Sequence, residues 1–130
     1  YLFAKAAFRG DGINVFNHGN QKRDFTFIDD IIEGIFLSVD NFNNVNGAEV
    51  FNIGCGSPTG LMDFITEIES ATGRELKKTY VEAQLGDVED TFADTQKLTS
   101  TFGYSPKIGL SEGISKFIEW FRSYHENIDS

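Results

Sequence analysis

Little in this chain of 130 residues can build a disulfide, a metal cage or a basic face. Its single cysteine, Cys55, cannot pair internally, and its two histidines, His18 and His125, lie too far apart in sequence to suggest a ligand set. Eleven lysines and arginines stand against twenty aspartates and glutamates, a formal charge of -9. No basic cluster is visible along the sequence, so nucleic acid and anionic membrane are not expected as partners. There is no run of eighteen apolar residues and no charged-then-apolar leader, and a reducing, cytoplasmic setting is the default expectation. The chain does have thirteen phenylalanines. That is more than a modest core needs, and the surplus points to a partner surface and to self-association of the chain.

A chain of this length predicts one domain, 1–130, burying roughly two thirds of its unfolded surface. Leu2, Phe3, Ala6 and Ala7 form a helical face that stops at Gly10, and Ile13 to Phe16 reads as a strand. After the His18-Gly19-Asn20 turn, a strand carries Arg23, with Phe25 and Phe27 alternating on one sheet face. A helix then runs from Asp29, with Asp29 or Asp30 as its cap, to about Asn41. Glu49 to Ile53 is a further strand candidate. Leu61, Phe64, Ile65 and Ile68 mark a helix that closes at Gly73. Leu76 to Val81 is a strand, Asp94 caps a short helix through Leu98, and a final helix turns Ile114, Phe117, Ile118, Phe121 and Tyr124 inward. The fold class is α/β, an α+β-like lobe with short strands flanked by about four or five helices.

Arg23 is the most informative single residue. A guanidinium presents a planar fork of donors that fits two phosphate oxygens, with about 1.5 to 3 kcal/mol per charge-assisted bond. The bland alternative pairs it with Asp24 or Asp29. Gly54, Gly56 and Gly60 lie between strand and helix and imitate a dinucleotide loop. The third glycine comes one residue late, behind Pro58, and Ser57 or Thr59 as a helix cap explains the same residues. Tyr1 and Lys5 have the spacing of a catalytic tyrosine-lysine pair, but a match at the first residue has no preceding sheet to hold it. Cys55 reads as a small buried thiol, and the acidic stretch of Glu82, Asp87, Glu89 and Asp90 as a solvated face in which Asp87 can accept from sugar hydroxyls.

Taken in order, the motifs point further. They are Val15-Phe16-Asn17, Lys22 to Asp30, Asn52-Ile53-Gly54, Gly86-Asp87-Val88 with Ala93-Asp94, and Phe102-Gly103-Tyr104-Ser105-Pro106. Together they resemble the C-terminal part of a nucleotide-sugar epimerase of the extended short-chain dehydrogenase group, closest to the UDP-glucuronate 4-epimerases. The resemblance implies a UDP-sugar-binding lobe whose NAD, catalytic tyrosine and Rossmann domain lie N-terminal to it. In such enzymes NAD takes a hydride from C4 of the sugar and returns it to the other face, while the lobe anchors UDP. It implies Arg23 at the diphosphate, the backbone of Asn14 and Phe16 at the uracil edge, and Asp87 at the ribose. Gln84 occupies a position where galactose-type epimerases tend to have a second arginine, and Leu85 replaces the usual proline, which leaves that loop's geometry open. The resemblance places Tyr1 and Lys5 after the true catalytic pair.

The lobe alone is therefore expected to be inactive, to hold no catalytic residue, cofactor or metal, and to need NAD only within its parent enzyme. A related dehydratase or decarboxylase lobe, or an acidic protein-binding module, is the alternative.

Overall fold

The structure, a computed structural model, describes residues 1–126. In chain order the elements are helix α1 (Leu2–Arg9), strand β1 (Gly12–Val15), strand β2 (Lys22–Arg23) and helix α2 (Ile28–Asp40). Strand β3 (Thr59–Gly60), helix α3 (Leu61–Thr72), strand β4 (Lys77–Tyr80), helix α4 (Gln96–Phe102) and helix α5 (Leu110–Glu126) follow. This is the mixed α/β class with five helices and short strands that the sequence predicts. Among the described residues no helix is long and apolar enough to cross a membrane.

The helical faces build the main core. Ala4 and Ala7 of α1, Ile65 and Ile68 of α3, and Ile114, Ile118 and Phe121 of α5 are buried together with Ile13 and Val15 of β1. Glycines in the left-handed conformation end three helices: Gly10 after α1, Gly73 after α3 and Gly103 after α4. A smaller core gathers Leu98, Phe102 and Tyr104 under Leu37, Phe51 and Ile53. The strands form two separate pairs, β1 parallel to β4 and β2 antiparallel to β3.

Several local expectations are corrected. Glu49 to Ile53 is not in a strand. Phe51 and Ile53 do turn inward and Val50 is 83% exposed, so the two-residue alternation is present, but among the described residues no neighbouring strand completes a ladder. Neither Asp29 nor Asp30 caps α2, whose N-cap is Phe27 with no side-chain bond. Likewise Ser57 and Thr59 do not cap α3: Gly60 is its N-cap, and Thr59 pairs with Arg23 in the β2–β3 ladder. Strand β2 ends at Arg23, so Phe25 and Phe27 share no sheet face; Phe25 stacks on Phe64 instead, with ring centroids 4.1 Å apart. Asp94 accepts the Gln96 N–H at 3.0 Å, but the N-cap of α4 is Thr95, and the helix continues past Leu98 to Phe102. Tyr124 faces outward and stacks on Trp120.

Candidate functional site

One edge of β1 is left open beside a cavity. The Val15 carbonyl accepts the Val81 N–H at 3.0 Å, so Ile13 and Val15 face β4 through their backbone. Ladder groups alternate, which carries the Asn14 N–H and C=O, and the Phe16 N–H two residues on, toward the opposite edge. No strand covers that edge among the described residues. A cavity of about 570 Å³ lies there, and Asn14, Phe16, Gln21 and Leu61 are in its wall. An amide donor and acceptor side by side on a strand edge match the donor–acceptor pattern of a pyrimidine edge.

The chain then turns within four residues. Asn17 and His18 both take left-handed conformations, φ 48° and 50°, which side chains seldom adopt. The turn delivers Gln21 and Arg23 beside the loop that follows β4. Lys22 donates its N–H to the Glu89 carbonyl at 3.0 Å, and Thr91 donates to the Lys22 carbonyl at 3.3 Å. Gln21, itself buried, donates from Nε2 to the Asp87 carboxylate at 3.2 Å. Arg23 uses Nη1 alone, donating to the carbonyls of Lys22 and Glu89, each at 2.8 Å. Those bonds fix the plane of the guanidinium. Among the described residues no hydrogen bond engages its Nε or Nη2, and it forms no ion pair, so neither Asp24 nor Asp29 is its partner.

The Gln84-Leu85-Gly86-Asp87 loop settles into a turn closed by the Asp87 N–H on the Gln84 carbonyl at 3.1 Å. Gly86 supplies the required positive φ of 92°, so Leu85 takes the preceding position without a proline. The structure thus brings Arg23 and Asp87 onto one strap beside β2, with Gln21 joining Asp87 to the wall that holds Asn14 and Phe16. Gln84 and Arg23 do not line that cavity. Gln21 was invisible in the sequence, since a lone glutamine after a turn carries no periodic signal.

The glycine loop has a different occupant from the one its spacing suggests. The N–H groups of Cys55 and Gly56 donate to the Asp24 carboxylate at 3.1 and 2.9 Å, and the Ala93 N–H donates to it at 2.9 Å. A loop of this kind does cradle an anion, but the anion is the chain's own side chain. Gly54 is required there because a Cβ would stand 2.5 Å from the Ala93 Cβ and 2.9 Å from Asp24 Oδ2. With these donors engaged, the loop does not fit a dinucleotide pyrophosphate. Burial pushes the Cys55 thiol up, and the carboxylates of Asp24 and Asp30 push it further, so thiolate chemistry is disfavoured. Tyr1 places its hydroxyl 3.3 Å from His125 Nε2 rather than beside Lys5. Among the described residues no group of His, Cys, Asp and Glu side chains could hold a metal ion.

Similarities to known proteins fit this geometry. The NAD dependent epimerase/dehydratase family matches residues 2–54. The chain is 36% identical over 97% of its length to Protein CapI of Staphylococcus aureus, of which it covers 42%. It is 31% identical over 93% of its length to a probable UDP-glucuronate 4-epimerase of Rhizobium meliloti strain 1021, covering 40% of that protein. The fold superposes on a tyrosine-to-phenylalanine variant of UDP-glucuronic acid 4-epimerase from Bacillus cereus, crystallised with UDP-4-deoxy-4-fluoro-glucuronic acid and NAD. That match has a TM-score of 0.84 and 30% identity, over 94% of this chain and 38% of that one. The chain is thus similar to the NAD dependent epimerase/dehydratase family over residues 2–54 and to these proteins over nearly its whole length.

The chain spans about two fifths of the length of these curated relatives.

Proposed function

We propose that residues 1–130 form the UDP-sugar-binding lobe of an NAD-dependent nucleotide-sugar 4-epimerase of the UDP-glucuronate type. The observation that carries the reading is the continuous run from the free β1 edge at Asn14 and Phe16, through Gln21 to Asp87 and along β2 to Arg23. In this reading Asn14 and Phe16 meet uracil, Asp87 the ribose, and Arg23 the diphosphate, with Gln84 beside it. Arg23 offers its unused donors from a plane already fixed by two carbonyls, so little side-chain entropy is lost on binding. The lobe positions its substrate, and the chemistry belongs to groups outside it. Related dehydratases and decarboxylases would use the same anchor, and the product formed by the whole protein separates them.

Calorimetric titration of the chain with UDP should show saturable binding, weakened roughly 10- to 150-fold in Arg23→Ala if the arginine contributes about 1.5 to 3 kcal/mol. UDP affinity indifferent to that substitution would sink the assignment. The second expectation concerns activity. The purified chain with added NAD should not interconvert UDP-glucuronate and UDP-galacturonate, because its glycine loop is filled by Asp24 and Tyr1 is bonded to His125. Product detected by chromatography above a no-protein control would refute it.

The outer face of α2 supports a domain partner within the same protein. Ile28, Ile32, Ile35, Phe36 and Val39 are between 43 and 63% exposed on that helix. In this reading the face meets an N-terminal NAD-binding domain. The same face would serve a free-standing protein-binding module, in which case UDP would leave the chain's behaviour unchanged.

A further inference from the structure

Lys5, Arg9, Arg74 and Arg122, four of the eleven lysines and arginines, line one cavity of about 730 Å³ with Phe8 and His125 in its wall. Residues at opposite ends of the sequence thus make the basic cluster that the linear sequence hides. The cavity lies where α1 and α3 end. Arg74 Nη1 donates to the Phe8 carbonyl at 2.7 Å, and Arg122 Nη2 donates to the Ala71 carbonyl at 3.3 Å. Both guanidinium groups lie over the Phe8 ring, 5.4 and 5.5 Å from its centroid.

Helix capping accounts for part of this arrangement. Each helix C-terminus carries roughly half a negative charge. Two such ends supply about one negative charge against four fixed positive ones. Among the described residues none of the four cations is in an ion pair, and no carboxylate lines the cavity. Asp11 lines the adjacent cavity, whose wall shares Lys5 and Arg9. Capping orients Arg74 and Arg122, but it leaves the charges of Lys5 and Arg9 unbalanced. On a chain of net charge -9 this concentration of like charge is a local reversal, and a bound polyanion would offset the repulsion.

We propose that this cavity binds a diphosphate-class anion. Arg74 and Arg122 each spend one Nη on a carbonyl, and their remaining donors form two forks suited to phosphate oxygens. Lys5 and Arg9, one turn apart on α1, add charge to the same cavity. Inorganic pyrophosphate and the diphosphate of a nucleotide share the chemistry that the cavity recognises.

The test uses the 130-residue chain carrying Arg23→Ala, which removes the proposed UDP anchor from the measurement. Titration with inorganic pyrophosphate should give one-to-one saturable binding with amide shifts centred on residues 8–9 and 72–74. Affinity should fall at least tenfold when Arg74→Gln and Arg122→Gln are added. If that variant does not fold, Lys5→Gln with Arg9→Gln, on the helix surface, should weaken binding several-fold. UDP moving the same amides would identify a nucleotide source, and pyrophosphate alone an inorganic one; either supports the site. No saturable binding, shifts centred elsewhere, or affinity unchanged by the substitutions would overturn it.

Discussion

Replacing Asp24 with alanine should lower the stability of the fold by about 3 to 5 kcal/mol, a large share of the 5 to 15 kcal/mol typical of a domain. The carboxylate accepts N–H groups from Cys55, Gly56 and Ala93, and so ties the end of β2 to both the glycine loop and the segment before α4. Each bond to a charged acceptor is worth about 1.5 to 3 kcal/mol, discounted here because the site is half-buried and the three act as a unit. Alanine leaves the Gly56 and Ala93 N–H groups without this acceptor, while the Cys55 N–H keeps the Thr26 hydroxyl at 2.9 Å. Asparagine keeps one carbonyl oxygen and should fall between the two. Urea denaturation followed by circular dichroism reads the effect, and an Asp24→Ala midpoint within error of the parent chain would contradict the role assigned to this carboxylate.

Asp30→Ala should cost about 2 to 4 kcal/mol by a related route. Asp30 is 2% exposed in the first turn of α2, and its two oxygens accept the N–H groups of Lys107 and Ile108 at 2.8 and 3.1 Å. It fastens α2 to the turn that launches α5, joining the smaller core to the larger. A second readout distinguishes this from general loosening. Tyr104 donates its hydroxyl to the Gly54 carbonyl at 2.9 Å, and burial first, then the Asp30 charge, pushes its pKa up to about 12. In Asp30→Asn the tyrosine titration, followed by ultraviolet absorbance, should move down toward the ordinary range. A Tyr104 titration that stays put, together with unchanged stability, would remove Asp30 from this account.

The two aspartates show where sequence reading succeeds and where it stops. Helical faces with regular apolar spacing were legible, since Ile65, Ile68, Ile114 and Ile118 announce buried stripes by themselves. So were the glycine stops at Gly10 and Gly73. Carboxylates were not. An aspartate at a helix start looks like a cap whether it bonds its own helix or reaches across to a segment 77 residues away, as Asp30 does. The glycine loop misled for a similar reason, because loop spacing predicts an anion cradle without saying which anion fills it. For the candidate site, ordered motifs indicated Arg23 and Asp87, while Gln21 and the gathering of Lys5, Arg9, Arg74 and Arg122 depend on packing between distant elements. The Glu49 to Ile53 alternation is present in the burial of Phe51 and Ile53, but strand formation also needs a neighbour, and that information lies outside the segment.

The Asp24 cluster also constrains the order in which the chain can assemble. Its contacts close loops of 31 residues to Cys55 and 69 residues to Ala93. Loop-closure entropy scales as 1.5 RT ln n, so the longer closure costs roughly 0.7 kcal/mol more. The first contact is cheaper to make, and it leaves the carboxylate already held when the more distant segment arrives. Most of the entropy of the second closure is spent on bringing Ala93 to a site whose other donors are in place. A surface connection between α2 and β3 can lengthen at small cost under this logarithmic law, whereas a residue inserted between Asp24 and Thr26 would displace the acceptor from every donor at once.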